Sequence, residues 1–135
     1  MITYERPVRF EDVDAAHIVF FARFMNYCHE AMENFFAALD GGYVRLITER
    51  KIGLPAVHVE CDFFAPLRYG DVAILQTTIA KIGTSSATLH YEIYRKRDQA
   101  RVATIEHVVV ASDLSTVTKI PLPDDIRAAL EAHKV

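Results

Sequence analysis

The stretch Val8-Arg9-Phe10-Glu11-Asp12-Val13-Asp14-Ala15-Ala16-His17-Ile18-Val19-Phe20-Phe21 gathers three carboxylates directly before strongly apolar residues. Two readings follow from those residue types. Aspartate readily closes turns and caps helices, so a solvated turn leading into a helix accounts for the pattern. A carboxylate held beside helix N-terminal amides would do more. It can act as nucleophile or general base, while the amides stabilise an oxyanion, and Ile18, Phe20 and Phe21 would supply an apolar pocket. Spacing alone leaves both readings open.

Other chemistries find less support. None of the six histidines shows His-x-x-x-His or a Cys/His cluster at ligand spacing, so no metal site is expected. His17 lies close to Asp14, and His58 opens a predicted strand beside Pro55. His90 and His107 fall mid-strand, where ordinary hydrogen-bonded roles are expected, and His29 and His133 read as helix residues. There is no Gly-x-Ser-x-Gly elbow, and neither Cys28 nor Cys61 adjoins a likely base. No glycine-rich phosphate loop occurs. Gly83-Thr84-Ser85-Ser86 reads as a hairpin turn, although it could also hydrogen-bond a phosphate. Arg68, Lys81, Arg95, Lys96 and Arg97 suit either a solvated face or a nucleotide's charge.

These residues need elements to hold them. Ala56–Ala65 alternates, with Val57, Val59, Cys61 and Phe63 on one face. Val72–Ile82 and Ala87–Lys96 follow as a hairpin, then Arg101–Ser112. Ile2–Phe10 is a weaker strand, since Pro7 lacks a ladder donor and fits an edge or bulge. The strongest helix runs from Ala22 to Leu39, apolar around most of its circumference except a stripe through Asn26, Glu30 and Glu33. Such a helix must be enclosed. A second helix spans Pro123–His133, with Pro123, Asp124 and Asp125 suited to its start. The order predicts an α+β architecture, one antiparallel sheet wrapped around a long central helix.

Length and composition agree with one domain over residues 1–135. The 135 residues are 51% hydrophobic and 24% charged, with a net charge of −3. Disorder is excluded by the apolar content, and mild acidity gives no reason to expect nucleic acid. No apolar run approaches the roughly 18 residues of a membrane span. The first residues lack the basic start and apolar stretch of a signal peptide. Two cysteines in no metal-type spacing fit a reducing, cytoplasmic setting.

At the same stretch the sequence resembles a known family. Phe10-Glu11-Asp12-Val13-Asp14-Ala15-Ala16, then Ile18-Val19-Phe20-Phe21 and a helix carrying Tyr27 and Glu30-Ala31, is similar to hotdog-fold acyl-CoA thioesterases of the 4-hydroxybenzoyl-CoA thioesterase type. Gly53-Leu54-Pro55, Phe64-Ala65-Pro66-Leu67-Arg68-Tyr69-Gly70-Asp71 and Ile82-Gly83-Thr84-Ser85 match in order, so the resemblance covers nearly the whole chain. It implies the hotdog fold and hydrolysis of a short-chain or aromatic acyl-CoA. It places the family's catalytic aspartate on Asp14 and its oxyanion-binding amide on Phe21. That branch usually has glycine where this chain has His17, and often His or Tyr where it has Phe21. A backbone amide survives a side-chain change, and His17 is a further candidate at the site. Phe20, Phe24 and His58 are expected to face substrate.

No cofactor is implied, because hydrolysis needs only water once the carbonyl is polarised. A non-catalytic acyl-thioester binding subunit and an acyl carrier protein thioesterase are the alternatives. A dehydratase would need a His with Asp or Glu along the central helix, in motifs this chain lacks. The run Val108-Val109-Val110-Ala111 offers apolar residues to both sheet faces, and one face is expected to meet another copy. Hotdog thioesterases share sites between subunits, so the resemblance implies a homodimer, or a tetramer of paired dimers, binding acyl-CoA.

Overall fold

The computed structural model describes residues 1–135 throughout. Strand β1 (Ile2–Pro7) leads through a 3-10 turn (Phe10–Asp12) and a loop into helix α1 (Arg23–Phe35), prolonged by a second 3-10 turn (Phe36–Ala38). Helix α2 (Gly42–Thr48), β2 (Ile52–Gly53), β3 (Ala56–Phe63), β4 (Val72–Ile82), β5 (Ser86–Arg95) and β6 (Arg101–Val110) follow. The chain ends with β7 (Ser112–Asp113), β8 (Thr118–Lys119) and α3 (Asp124–Glu131). Five strands form one antiparallel sheet in the order β1-β4-β5-β6-β3, and β2-β7-β8 make a small ribbon. This is the expected α+β hotdog arrangement.

The sheet follows from alternation. Ala73, Leu75, Thr77 and Ile79 of β4 and Ala87, Leu89, Tyr91 and Ile93 of β5 are buried at every second position. Pairing brings Leu75 opposite Ile93 and Tyr91 opposite Ile105, so one face carries a continuous apolar layer. Helix α1 lies on that layer with Phe24, Tyr27, Cys28, Ala31, Met32 and Phe35 buried. Each large side chain so enclosed contributes about 1.5–3 kcal/mol of burial free energy. Beyond β1, the exposed side of β4 is closed by the C-terminal tail. The Ile79 amide donates to the His133 carbonyl (3.0 Å) and the Val135 amide to the Ile79 carbonyl (3.1 Å).

Several boundaries differ from the sequence reading. The central helix is not long: α1 has 13 residues, and the three residues of the 3-10 turn end it before Leu39. Gly41 and Gly42, both at positive φ, turn the chain there into α2, which the sequence reading lacked. A Cβ on Gly41 would stand 2.3 Å from Arg45 Cδ, so only glycine fits that turn. The last long strand stops at Val110, and Ser112–Asp113 joins the ribbon instead. On the outer side of β6, Val108 and Val110 are half-buried already. The open apolar surface lies elsewhere, on edge strand β3, where Val57 is 62% exposed and Val59 and Phe63 are also open.

A buried polar knot ties β1, the site loop and α1 together. Asp12 is fully buried, and its Oδ2 accepts hydrogen bonds from the Arg9 amide (2.8 Å), the Tyr27 hydroxyl (2.8 Å) and Arg6 Nη1 (3.0 Å). Arg6 also donates through Nε to Glu30 of α1 (2.8 Å), which accepts from the Tyr4 hydroxyl as well (2.9 Å). Burial pushes the Asp12 carboxyl up, but the Arg9 amide, the Tyr27 hydroxyl and Arg6 outweigh it and hold the group below its usual value. A depressed folded-state value means that Asp12 stabilises the fold above the ordinary carboxylate range, near pH 4, and that this contribution fades as pH falls through and below it. Asp12→Asn breaks the buried Arg6–Asp12 ion pair, leaving Glu30 as the only counter-charge to Arg6, and should cost about 3 kcal/mol in urea unfolding, the low end for a broken buried pair. Tyr27→Phe, which removes one hydrogen bond to a charged acceptor, should cost about 1.5–3 kcal/mol. Unchanged unfolding midpoints in both variants would show that the knot is not a structural anchor.

Candidate active site

The loop between Asp12 and α1 is a short hairpin. Val13 bridges Val19, the Asp14 amide donates to the Ile18 carbonyl (3.1 Å) and the His17 amide to the Asp14 carbonyl (2.9 Å). Its outgoing arm is pinned twice, by the Val19 amide to the Leu67 carbonyl (2.8 Å) and the Phe20 amide to the Asp12 carbonyl (3.2 Å). The two arms open on one cavity of about 860 Å³, lined by Asp14, Ile18, Phe20, Phe21, Phe24 and Phe63 among others. Phe24 and Phe63 meet edge to face at 5.0 Å and close its floor between α1 and the end of β3.

Two polar groups stand on the rim of this apolar space. Asp14 is exposed, and its Oδ1 accepts only the Ala16 amide (2.8 Å), an Asx turn that orients the carboxylate and leaves Oδ2 without a partner in the chain. The Phe21 amide donates to no group of the chain, and Ala22, the residue that caps α1, offers no side-chain bond. Free amides at a helix start carry its positive end and point a donor at whatever oxygen approaches. A carboxylate and an unspent helix-start N–H, carried by two residues that line one apolar cavity, can cleave an ester or thioester: the amide polarises the carbonyl and the carboxylate attacks it or activates water.

The predicted residues divide as follows. Asp14, Phe20, Phe21 and Phe24 line the cavity together. His17 sits at the turn of the hairpin, exposed, with φ +64° and no side-chain bond to Asp14. His58 does not reach the cavity; it lies exposed on β3 and pairs with Glu60 at 3.1 Å. Phe63, Phe64, Ala65 and Pro66 complete the wall, and sequence reasoning had not placed them at the site. Their signal was the aromatic pair Phe63-Phe64 just before Pro66, but only the fold shows that β3 ends beside α1. Gly83–Ser86 is the expected hairpin turn, with its Gly83 and Thr84 carbonyls accepting from Arg127.

Known proteins share this fold. The chain matches the thioesterase-like superfamily over residues 8–130 and belongs to it. A 1,4-dihydroxy-2-naphthoyl-CoA hydrolase from Nostoc punctiforme is 34% identical, covering 98% of this chain and 88% of its own. The crystal structure of a 1,4-dihydroxy-2-naphthoyl-CoA thioesterase from Synechocystis superposes with a TM-score of 0.86 at 32% identity, covering 95% of this chain and 93% of that one. A gentisyl-coenzyme A thioesterase gives 0.85 at 28% identity, over 96% and 99% of the two chains. The family resemblance therefore holds as a hotdog thioesterase, while these relatives bear naphthoyl and gentisyl names rather than the 4-hydroxybenzoyl one.

The His17 backbone makes a direct prediction. A left-handed residue other than glycine carries strain of about 1–2 kcal/mol, somewhat less for His than for branched residues. His17→Gly should therefore leave urea stability unchanged or raise it by up to about 1 kcal/mol. A clear loss of stability would mean that the imidazole makes a contact worth more than the strain.

Proposed function

We propose that the protein is a thioester hydrolase acting on an aromatic acyl-CoA, with Asp14 and the Phe21 amide as its reacting groups. The observation that carries this is the pairing of one free carboxylate and one free helix-start amide on an aromatic-walled cavity. The thioester carbonyl oxygen accepts the Phe21 N–H, and charge developing there is stabilised by the helix terminus. The Asp14 carboxylate either adds to the carbonyl carbon or takes a proton from the attacking water. In the first route the carbon–sulfur bond breaks to leave an acyl-aspartyl anhydride, which water then cleaves to the free acid and the Asp14 carboxylate. In the second the water oxygen joins the carbon as that bond breaks. Either way the departing thiolate takes a proton and leaves as CoA, and no cofactor takes part. Phe20, Phe24 and Phe63 favour a flat acyl group. His17 tunes Asp14 from the adjoining turn, and His58 meets substrate only if a neighbouring chain brings it there. The names of the relatives support this reading, with 1,4-dihydroxy-2-naphthoyl-CoA as the first substrate to try and 4-hydroxybenzoyl-CoA as a second.

The same reading includes one domain over residues 1–135, a reducing cytoplasmic location consistent with the free Cys28 and Cys61, and a homodimer that pairs into a tetramer. Edge strand β3 supports association, because its backbone edge is unpaired and Val57, Val59 and Phe63 are open beside the cavity. No helix is long and apolar enough to cross a membrane.

Thiol release from a panel of acyl-CoAs tests the activity. Naphthoyl, gentisyl and 4-hydroxybenzoyl thioesters should exceed palmitoyl-CoA in kcat/KM by at least about tenfold. Asp14→Asn should lower turnover by at least about 100-fold with unfolding unchanged, and His17→Gly should lower it far less. No turnover on CoA or acyl carrier protein thioesters would leave a binding subunit, and equal loss in the two variants would make His17 the base. Light scattering across a dilution series should show no monomer; an active monomer would refute a site shared between chains.

A further inference from the structure

One wall of the cavity at Asp14 is a segment without secondary structure of its own. Phe64, Ala65 and Pro66 line the space, and residues 64–70 lie outside every helix and strand. Main-chain bonds hold the first part of this segment. The Phe64 and Ala65 amides both donate to the Val102 carbonyl of β6 (2.7 and 3.2 Å). Pro66 has no amide hydrogen to add to them.

The Pro66 carbonyl is held instead by a side chain. Arg95, the last residue of β5, donates to it through Nη1 at 2.7 Å. The same guanidinium donates through Nε and Nη2 to the two carboxylate oxygens of Asp98 (3.0 and 2.8 Å). Asp98 sits in the turn that the Gln99 amide closes on the Arg95 carbonyl (2.7 Å), so the planar fork is clamped from within its own turn. The Arg95 side chain is 12% exposed, and its three nitrogens are spent inside the chain rather than offered to a nucleotide's charge. What they fix reaches one residue further. Leu67 is fully buried, and its carbonyl accepts the Val19 amide (2.8 Å), directly before Phe20 and Phe21.

We propose that Arg95 is a positioning residue for thioester cleavage: by fixing Pro66 it sets the Leu67 carbonyl that holds Val19, and with it the direction of the Phe21 amide. Arg95 does not itself line the cavity. The inference rests on the reading that the Phe21 amide polarises the thioester carbonyl. A misplacement of about 1 Å at reacting groups can cost about 100-fold in rate, so a fork outside the cavity has leverage on the chemistry within it.

Hydrolysis of 1,4-dihydroxy-2-naphthoyl-CoA by Arg95→Ala and Arg95→Lys tests it, with amide hydrogen exchange measured on the same proteins. Arg95→Ala should lower kcat at least about tenfold while KM changes less than about threefold, because the geometry lost acts on the transition state. Millimolar guanidinium, far below denaturing concentrations, should restore part of that kcat by refilling the place of the fork. Arg95→Lys keeps the charge but not the planar fork, so it should show the same kcat loss, and it decides alone if Arg95→Ala does not fold. In either variant the Val19 amide should exchange at least about tenfold faster with Leu89, in the middle of β5, unchanged; a merely stabilising ion pair would produce no such selective change. Glu5→Gln removes the exposed Glu5–Lys96 ion pair at the same turn and should leave kcat as it is. Wild-type kcat in Arg95→Lys, unchanged Val19 exchange, or an equal kcat loss in Glu5→Gln would overturn the inference. Retained turnover in Asp14→Asn would instead overturn the reading of the site, with Val19 exchange still deciding for or against Arg95.

Discussion

The site depends on one buried carboxylate. Asp12 takes an amide, a phenol and a guanidinium on a single oxygen, and each donor comes from a different part of the chain: the loop itself, α1 and β1. A charge in that position is tolerated only because the donors are complete, since an unpaired buried carboxylate would cost several kcal/mol. The completeness fixes geometry. With the Asp12 side chain held from three directions, its carbonyl is placed to accept the Phe20 amide, and the hairpin from Val13 to Val19 has a rigid base. The Phe21 amide, next along the chain, is thereby left as the first unspent donor at the helix start.

Two aspartates separated by one residue thus have opposite fates. Asp12 spends its oxygens on the fold, while Asp14 gives one to its own turn and keeps the other free. A residue able to react must be oriented yet not saturated, and a short Asx turn supplies one bond without burial. Saturation of the neighbour helps make this possible, because Asp12 fixes the base of the hairpin that presents Asp14, beside the packing of Val13 and Val19 on the core. Arg23 adds to the pattern. It reaches toward Asp12 at 3.9 Å and lies over the Phe20 ring at 5.6 Å, its Nε without a partner, so positive charge also gathers near the helix start.

Much of this was legible in the sequence, for identifiable reasons. The alternation in β4 and β5 is strict because one face is wholly buried, and period-two burial writes itself into residue type. The apolar girth of the central helix announced its enclosure, though its length was overread: Phe36 and Leu39 continue the apolar pattern after the helical hydrogen bonding has given way to a 3-10 turn. Helix α2 and the ribbon β2-β7-β8 are too short for periodicity to register. The distinction between Asp12 and Asp14 was not available from spacing, since it rests on Arg6 and Tyr27 arriving from elsewhere. Phe63 and Phe64 entered the cavity wall for the same reason, through contact with a helix some forty residues earlier in the chain.

The two edges of the sheet bear on how such a cavity is finished. At the β1 side the edge strand has six residues, ends in Pro7, and hands over to a C-terminal tail that pairs with Ile79 of β4. At the β3 side the sheet ends on eight residues that pair only with β6. Past the bulge between Ala56 and His58, His58, Glu60 and Asp62 project to one face of β3 and Val59, Cys61 and Phe63 to the other, and that apolar row ends in the cavity at Phe63. Exposed apolar rows on an unprotected edge are a hazard for a monomer, and selection against aggregation normally removes them. Their persistence beside Asp14 is explained if β3 serves as a joint, because the strand that walls the cavity would then be buttressed by the contact that covers its edge.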